Sequence, residues 1–98
     1  MSYLVEILLP VTANMVSQVL DTICYDLTEQ FGGVTIHEKA PAEGFWKDGR
    51  KVEHDHIFLV EVMTDEINRS WWAQYRERLA LMLSQEEIVV RAIPFERL

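Results

Sequence analysis

The segment Glu53-His54-Asp55-His56 places two imidazoles two residues apart among carboxylates. On a strand, residues i and i+2 share a face. His54 and His56, with Glu43 across a hairpin, therefore form a candidate site for zinc or another divalent ion with an open position. The competing reading is a solvated strand entry, because no Cys-x-x-Cys or His-Glu-x-x-His accompanies the motif. A second set is dispersed along the chain: Glu6, His37, Glu61 and Arg91. Gathered on one sheet face, two carboxylates would push their ionisations apart. His37 and Glu61 would then be an acid–base couple, with Tyr75 as a third catalytic candidate. The plainer reading makes Glu6 and Arg91 an interface ion pair. A third set is aromatic, Phe45-Trp46 and Trp71-Trp72. Neighbouring helical residues point about 100° apart, so one tryptophan of the second pair is expected in the core and the other free to shield a pocket. Trp46 and Trp72 are the candidates for ligand or partner contact, against a purely packing role.

Several chemistries are missing. Gly32-Gly33 follows a helix, where the dipole repels phosphate. There is no nucleophile elbow and no dinucleotide fingerprint, so no cofactor is expected. Nine Lys and Arg against sixteen Asp and Glu leave a net charge of −7, which argues against a nucleic-acid binder. The 98 residues make one domain, residues 1–98. No apolar run reaches the roughly 20 residues of a membrane span, so no membrane partner is expected. A single cysteine, Cys24, rules out an internal disulfide and points to a cytoplasmic protein. Cys24 falls on a helix stripe and is expected to be a buried, unreactive thiol.

These residues need elements to hold them. Residues 3–9 alternate as a strand that Pro10 should end. Val16, Leu20, Ile23, Leu27 and Phe31 recur at helical steps, giving a helix over 13–31 capped by Thr12 or Asn14, with Gly32 as a left-handed C-cap. Residues 34–38 form a second strand, Pro41 to Gly44 a bulge or bend, and Asp48-Gly49 a two-residue hairpin turn. A third strand runs from about Val52 to Met63. Thr64 or Asp65 is expected to cap a second helix carrying Ile67, Trp71, Tyr75, Leu79, Met82 and Leu83. The last strand spans Ile88 to Ile93, with Pro94 as its stop. The order βαββαβ is that of an α+β ferredoxin-like domain, a four-stranded antiparallel sheet with two helices on one face and strand order four, one, three, two.

Phe31, Gly32 or Gly33, Thr35, Gly44, Trp46, Glu53, Tyr75, Leu79, Gln85 and Ile88 follow a pattern of short motifs. They run Phe-x-x-Gly-x-Thr, Gly-x-Trp, a Glu before the third strand, then Tyr-x-x-x-Phe-x-Gln-x-x-Val. This pattern resembles a family of small bacterial ferredoxin-like domains of unknown function. Leu79 and Ile88 depart from it conservatively. The resemblance implies the fold and no activity. Gln85 is expected to hydrogen-bond the turn before the last strand.

On this fold Leu4, Glu6, Leu8, Ile57, Leu59, Glu61, Val89, Arg91 and Ile93 would point to the open sheet face, with Thr35 and His37 beside them. Such a face is too apolar to stay in water alone. The leading expectation is therefore a small acidic homodimer closed through that face, acting as a binding or interaction module, with a protein partner as the other occupant. The alternatives are a cofactor-independent enzyme of the dimeric α+β barrel type, by fold analogy only, and a metal-binding regulator using His54 and His56.

Overall fold

A computed structural model describes residues 2–11, 17–48 and 51–98, with side chains at 2–10, 18–37 and 57–98. The elements run β1 (Ser2–Val11), α1 (Ser17–Phe31), β2 (Thr35–Asp48), β3 (Lys51–Thr64), α2 (Arg69–Met82) and β4 (Val89–Phe95). The sheet order is β2-β3-β1-β4, antiparallel throughout. The expected ferredoxin-like α+β architecture is thus present. Among the described residues, no helix is long and apolar enough to cross a membrane.

Alternation along β1 divides the chain between two environments. Val5, Ile7 and Leu9 are at most 1% exposed and meet Ile23 and Leu27 of α1 and Trp72, Tyr75 and Leu79 of α2. Val60 and Val62 of β3, with Leu83 and Ile88 beyond α2, complete this core. Cys24 is only half-buried rather than sealed within it. Between neighbours in sequence, Trp72 takes the core position and Trp71 packs from its edge.

Several boundaries differ from the periodicity, each for a local reason. β1 does not stop at Pro10, which pairs with Ile57. β4 pairs with β1 only as far as Leu8, so Pro10 lies where one side of β1 has no strand to receive an N–H. Pro94 likewise sits inside β4, opposite Tyr3, and is tolerated there because β4 is an edge strand. α2 starts later than its acids suggest. The Asn68 side chain accepts from the Trp71 N–H at 3.0 Å, while Thr64 remains in β3 and its hydroxyl donates to the Glu66 carbonyl. Asp65 instead accepts from Ser2 Oγ at 3.0 Å.

Both helices end in hydrogen-bonded C-caps. Gly32 adopts φ +84° and its N–H bonds to Thr28 O, as expected. After α2 the same role falls to Ser84 at φ 53°. Ser84 N–H reaches Leu81 O and Gln85 N–H reaches Ala80 O, the pattern of a Schellman motif. Gln85 thus serves the turn through its backbone rather than its side chain. The β2–β3 register slips between His37 and Ala42, earlier than the expected Pro41-to-Gly44 bend, of which Ala42 to Gly44 pair regularly, and the ladder closes on Asp48 opposite Lys51. The turn residues 49 and 50, the caps Thr12 and Asn14, and Val16 lie outside the described residues.

Truncating Leu79, fully buried at the centre of α2, to alanine should lower unfolding free energy by about 3 kcal/mol in urea denaturation. Asn68→Ala should cost about 1 kcal/mol through loss of the cap alone.

Candidate functional site

One register row crosses the whole sheet. Thr35 of β2 stands opposite Glu61 of β3, Glu61 opposite Glu6 of β1, and Glu6 opposite Arg91 of β4. This row faces away from the helices, because Val5, Ile7, Val60 and Val62 on either side of it face the core. Two carboxylates thus occupy adjacent positions on the two central strands. Each has a basic side chain on its outer side. Arg91 Nε donates to Glu6 Oε1 at 2.8 Å, and His37 Nε2 pairs with Glu61 Oε1 across the β2–β3 boundary. The Glu6 side chain is 8% exposed and the Glu61 side chain 19%, while Arg91 and His37 are about half exposed. A carboxylate this dry needs a charge-assisted hydrogen bond to remain tolerable.

Around the row the face is apolar. Leu4, Leu8, Leu59 and Val89 are half-buried, and Met63 and Ile93 are 54% and 43% exposed. Towards the hairpin, Pro10 and Ile57 are buried rather than open. Next to Glu61 a cleft of about 480 Å³ is lined by Leu4, Thr35, Met63, the Gly32-Gly33 turn and Arg97.

Tyr75 does not join His37 and Glu61, as a catalytic set would need. It is 4% exposed on α2, in the layer on the other side of the sheet. Its hydroxyl donates to Asp26 Oδ2 at 3.3 Å, and Arg78 Nη1 lies 3.5 Å from the same oxygen. Burial foremost, then the Asp26 charge and the hydrogen bond to it, push the Tyr75 phenol well above its usual range, with Arg78 acting in the opposite direction. Trp72, a candidate for ligand contact, is instead a core residue stacked 5.2 Å from Phe31. Its buried Nε1 has no hydrogen-bond partner among the described residues. The tryptophan nearer the surface is Trp71, and its partners on α1 come from the helix–helix approach, which no local motif announces.

The side chains of Trp46, Glu43, His54 and His56 lie outside the described residues. Their backbone register sets Glu43 opposite His56, Phe45 opposite His54 and Trp46 opposite Glu53. Among the described residues, no three His, Cys, Asp or Glu side chains gather as a metal site.

Replacing Arg91 by alanine leaves the Glu6 carboxylate dry and facing Glu61. We expect a loss of about 2 kcal/mol in chemical denaturation, largely recovered in Glu6→Gln/Arg91→Ala, where no charge is stranded. The raised Tyr75 phenol has the opposite pH signature to a salt-bridged acid. The unfolded chain releases this proton first, near pH 10. The Tyr75 contribution is therefore complete below that pH and falls as pH rises towards the folded value. Thermal melts of Tyr75→Phe should show a shallower alkaline loss of stability than the parent chain.

No protein-family model matches the sequence, and no curated protein matches it. Solved structures do resemble the fold. The divalent cation tolerance protein CutA1 of Thermus thermophilus shares 20% identity, with TM-score 0.67 over 99% of this chain and 86% of that one. The periplasmic divalent cation tolerance protein CutA of Archaeoglobus fulgidus shares 24%, with TM-score 0.66 over 99% and 86%. CutA of Xylella fastidiosa shares 14%, with TM-score 0.68 over 98% and 85%. The resemblance to ferredoxin-like domains of unknown function thus becomes more specific at the level of architecture: the chain has the fold found in divalent cation tolerance proteins.

Proposed function

We propose that this chain is a small binding module that closes its open sheet face against copies of itself. The observation that carries this reading is the uncovered face, where apolar side chains surround a row of carboxylates that each already have a basic partner within the chain. A surface of this composition favours burial, and Glu6 brings its own counter-ion into the contact. The hairpin adds support. Among the described residues, β1 pairs with β3 from Thr64 to His56, and residues 51–55 of β3 pair with β2 alone. A two-stranded ribbon is marginal in water unless something packs on it. Closed assemblies of identical chains are the common solution, in the simplest case a dimer with the two faces stacked.

A second reading concerns the cargo. The backbone register that sets Glu43 opposite His56 supports a divalent cation bound on this arm by Glu43, His54 and His56, and the names of the fold neighbours point the same way. Two imidazoles and a carboxylate suit zinc or a similar ion with a position left for water or a partner ligand.

Native mass spectrometry of the parent chain should show a defined homo-oligomer, and Met63→Glu/Ile93→Lys should shift it to monomer without changing the far-UV circular dichroism. A monomeric parent chain removes the self-association reading. Titration calorimetry with Zn²⁺ should show a site that His54→Ala/His56→Ala weakens at least about tenfold. Unchanged zinc affinity in that variant removes the cation reading while leaving the assembly reading intact.

A further inference from the structure

The helix layer holds a cleft of its own, on the opposite side of the molecule from the open sheet face. It encloses about 360 Å³ between α1 and α2, with Tyr25, Asp26 and Glu29 on one side and Trp71, Tyr75 and Arg78 on the other. That volume falls within the usual range for small-molecule sites, roughly 300–1,000 Å³. Its inner wall is aromatic. The Trp71 ring, half-buried, is stacked at 4.9 Å and 21° on the buried Tyr75, so Tyr75 backs it and Trp71 supplies the accessible aromatic lining. Trp71 is also held edge-on by Phe31 and Trp72, at 5.1 and 4.8 Å, so the wall is fixed by packing.

The rim is anionic and is already engaged by a cation from the same chain. The Asp26 side chain is 19% exposed and is held by the Tyr75 hydroxyl. Glu29, three residues further along α1, is exposed. Arg78 approaches Asp26 at 3.5 Å, beyond the distance of a formed guanidinium–carboxylate hydrogen bond, and its side chain is 57% exposed. The guanidinium is thus drawn to the carboxylate without being locked onto it.

We propose that this cleft binds a small organic cation, an alkylammonium or guanidinium compound, which places its charge between Asp26 and Glu29, lays its body against Trp71 and displaces Arg78. Aromatic faces attract cations, most strongly where water is partly excluded. Two carboxylates against one exposed arginine leave the cleft net negative, and the chain as a whole carries −7, which raises the local concentration of cations. An anionic ligand would face both carboxylates, and a neutral one would give them nothing. The proposal does not depend on self-association or on a metal, since both belong to the sheet and its hairpin.

The test is titration calorimetry of the full chain at constant ionic strength with choline, with methylguanidine and with 3,3-dimethyl-1-butanol, the neutral isostere of choline. Two-dimensional NMR is recorded in parallel. Choline or methylguanidine should bind saturably and shift the Trp71 indole N–H, with the neutral isostere about tenfold weaker or worse. Glu29→Gln should weaken cation binding several-fold. Arg78→Ala should tighten it several-fold by removing the internal competitor, an effect that a purely structural role for Arg78 does not produce. Both substituted side chains are exposed, so both variants retain the fold. The proposal is overturned if neither cation binds saturably, if the neutral isostere binds as well as choline, or if affinity is unmoved by both substitutions.

Discussion

The carboxylates of Glu6 and Glu61 stand at the same register level on adjacent strands, where like charges repel, and Glu6 is nearly dry. Two such groups are better tolerated together when each has a hydrogen-bonding basic side chain on its far side. The sheet order supplies this arrangement. β4 brings Arg91 to the outer flank of Glu6, and β2 brings His37 to the outer flank of Glu61. The polar row therefore depends on the strand order, which sets a basic side chain beside each carboxylate. This also explains how a buried acid persists on a face otherwise rich in leucine and valine.

Strand alternation separates the molecule into two chemical compartments. One side of β1 supplies Val5, Ile7 and Leu9 to a dry core under the helices, and the other supplies Leu4, Glu6 and Leu8 to the open face. Tyr75, Asp26 and Arg78 lie with the helices, while His37 and Glu61 lie with the sheet. The sheet stands between them, so the two groups act as separate sites. The aromatic residues follow the same division. Trp72 gives its area to the core, and Trp71, one residue earlier, gives a face to the helix groove.

Much of the fold was legible because it depends on periodicity. The period-two pattern of residues 3–9, the helical stripes and Gly32 each determine a local structure with few alternatives. The neighbouring of Glu6 and Glu61, with Arg91 and His37 on the flanks, followed once strand order was inferred, whereas the Glu6–Arg91 pair, expected at an interface, forms within the chain. What stayed hidden depends on context. Pro10 and Pro94 read as strand stops because the sequence does not show which side of a strand is unpaired. Asn68 was overshadowed by Thr64 and Asp65, which carry better-known cap signals but are taken up by β3 and Ser2. Ser84 occupies a left-handed position that composition would assign to glycine. The Asp26–Tyr75–Arg78 group joins residues 49 positions apart across a helix–helix contact, and no spacing within either helix signals it.

The strand order also has a consequence for synthesis. β4 is last among the six elements, yet it pairs with β1, the first. As the chain leaves the ribosome, the β2–β3 hairpin can form and receive β1 well before residues 89–95 emerge. During that interval the side of β1 from Ser2 to Leu8 is an open edge, flanked by a core face that α2 has only begun to cover. Unpaired edges of this kind recruit other strands. A nascent chain from which β4 has not yet emerged therefore carries a template for mispairing that is gone once β4 pairs with β1, which makes that interval a point of vulnerability for the quality control of new protein.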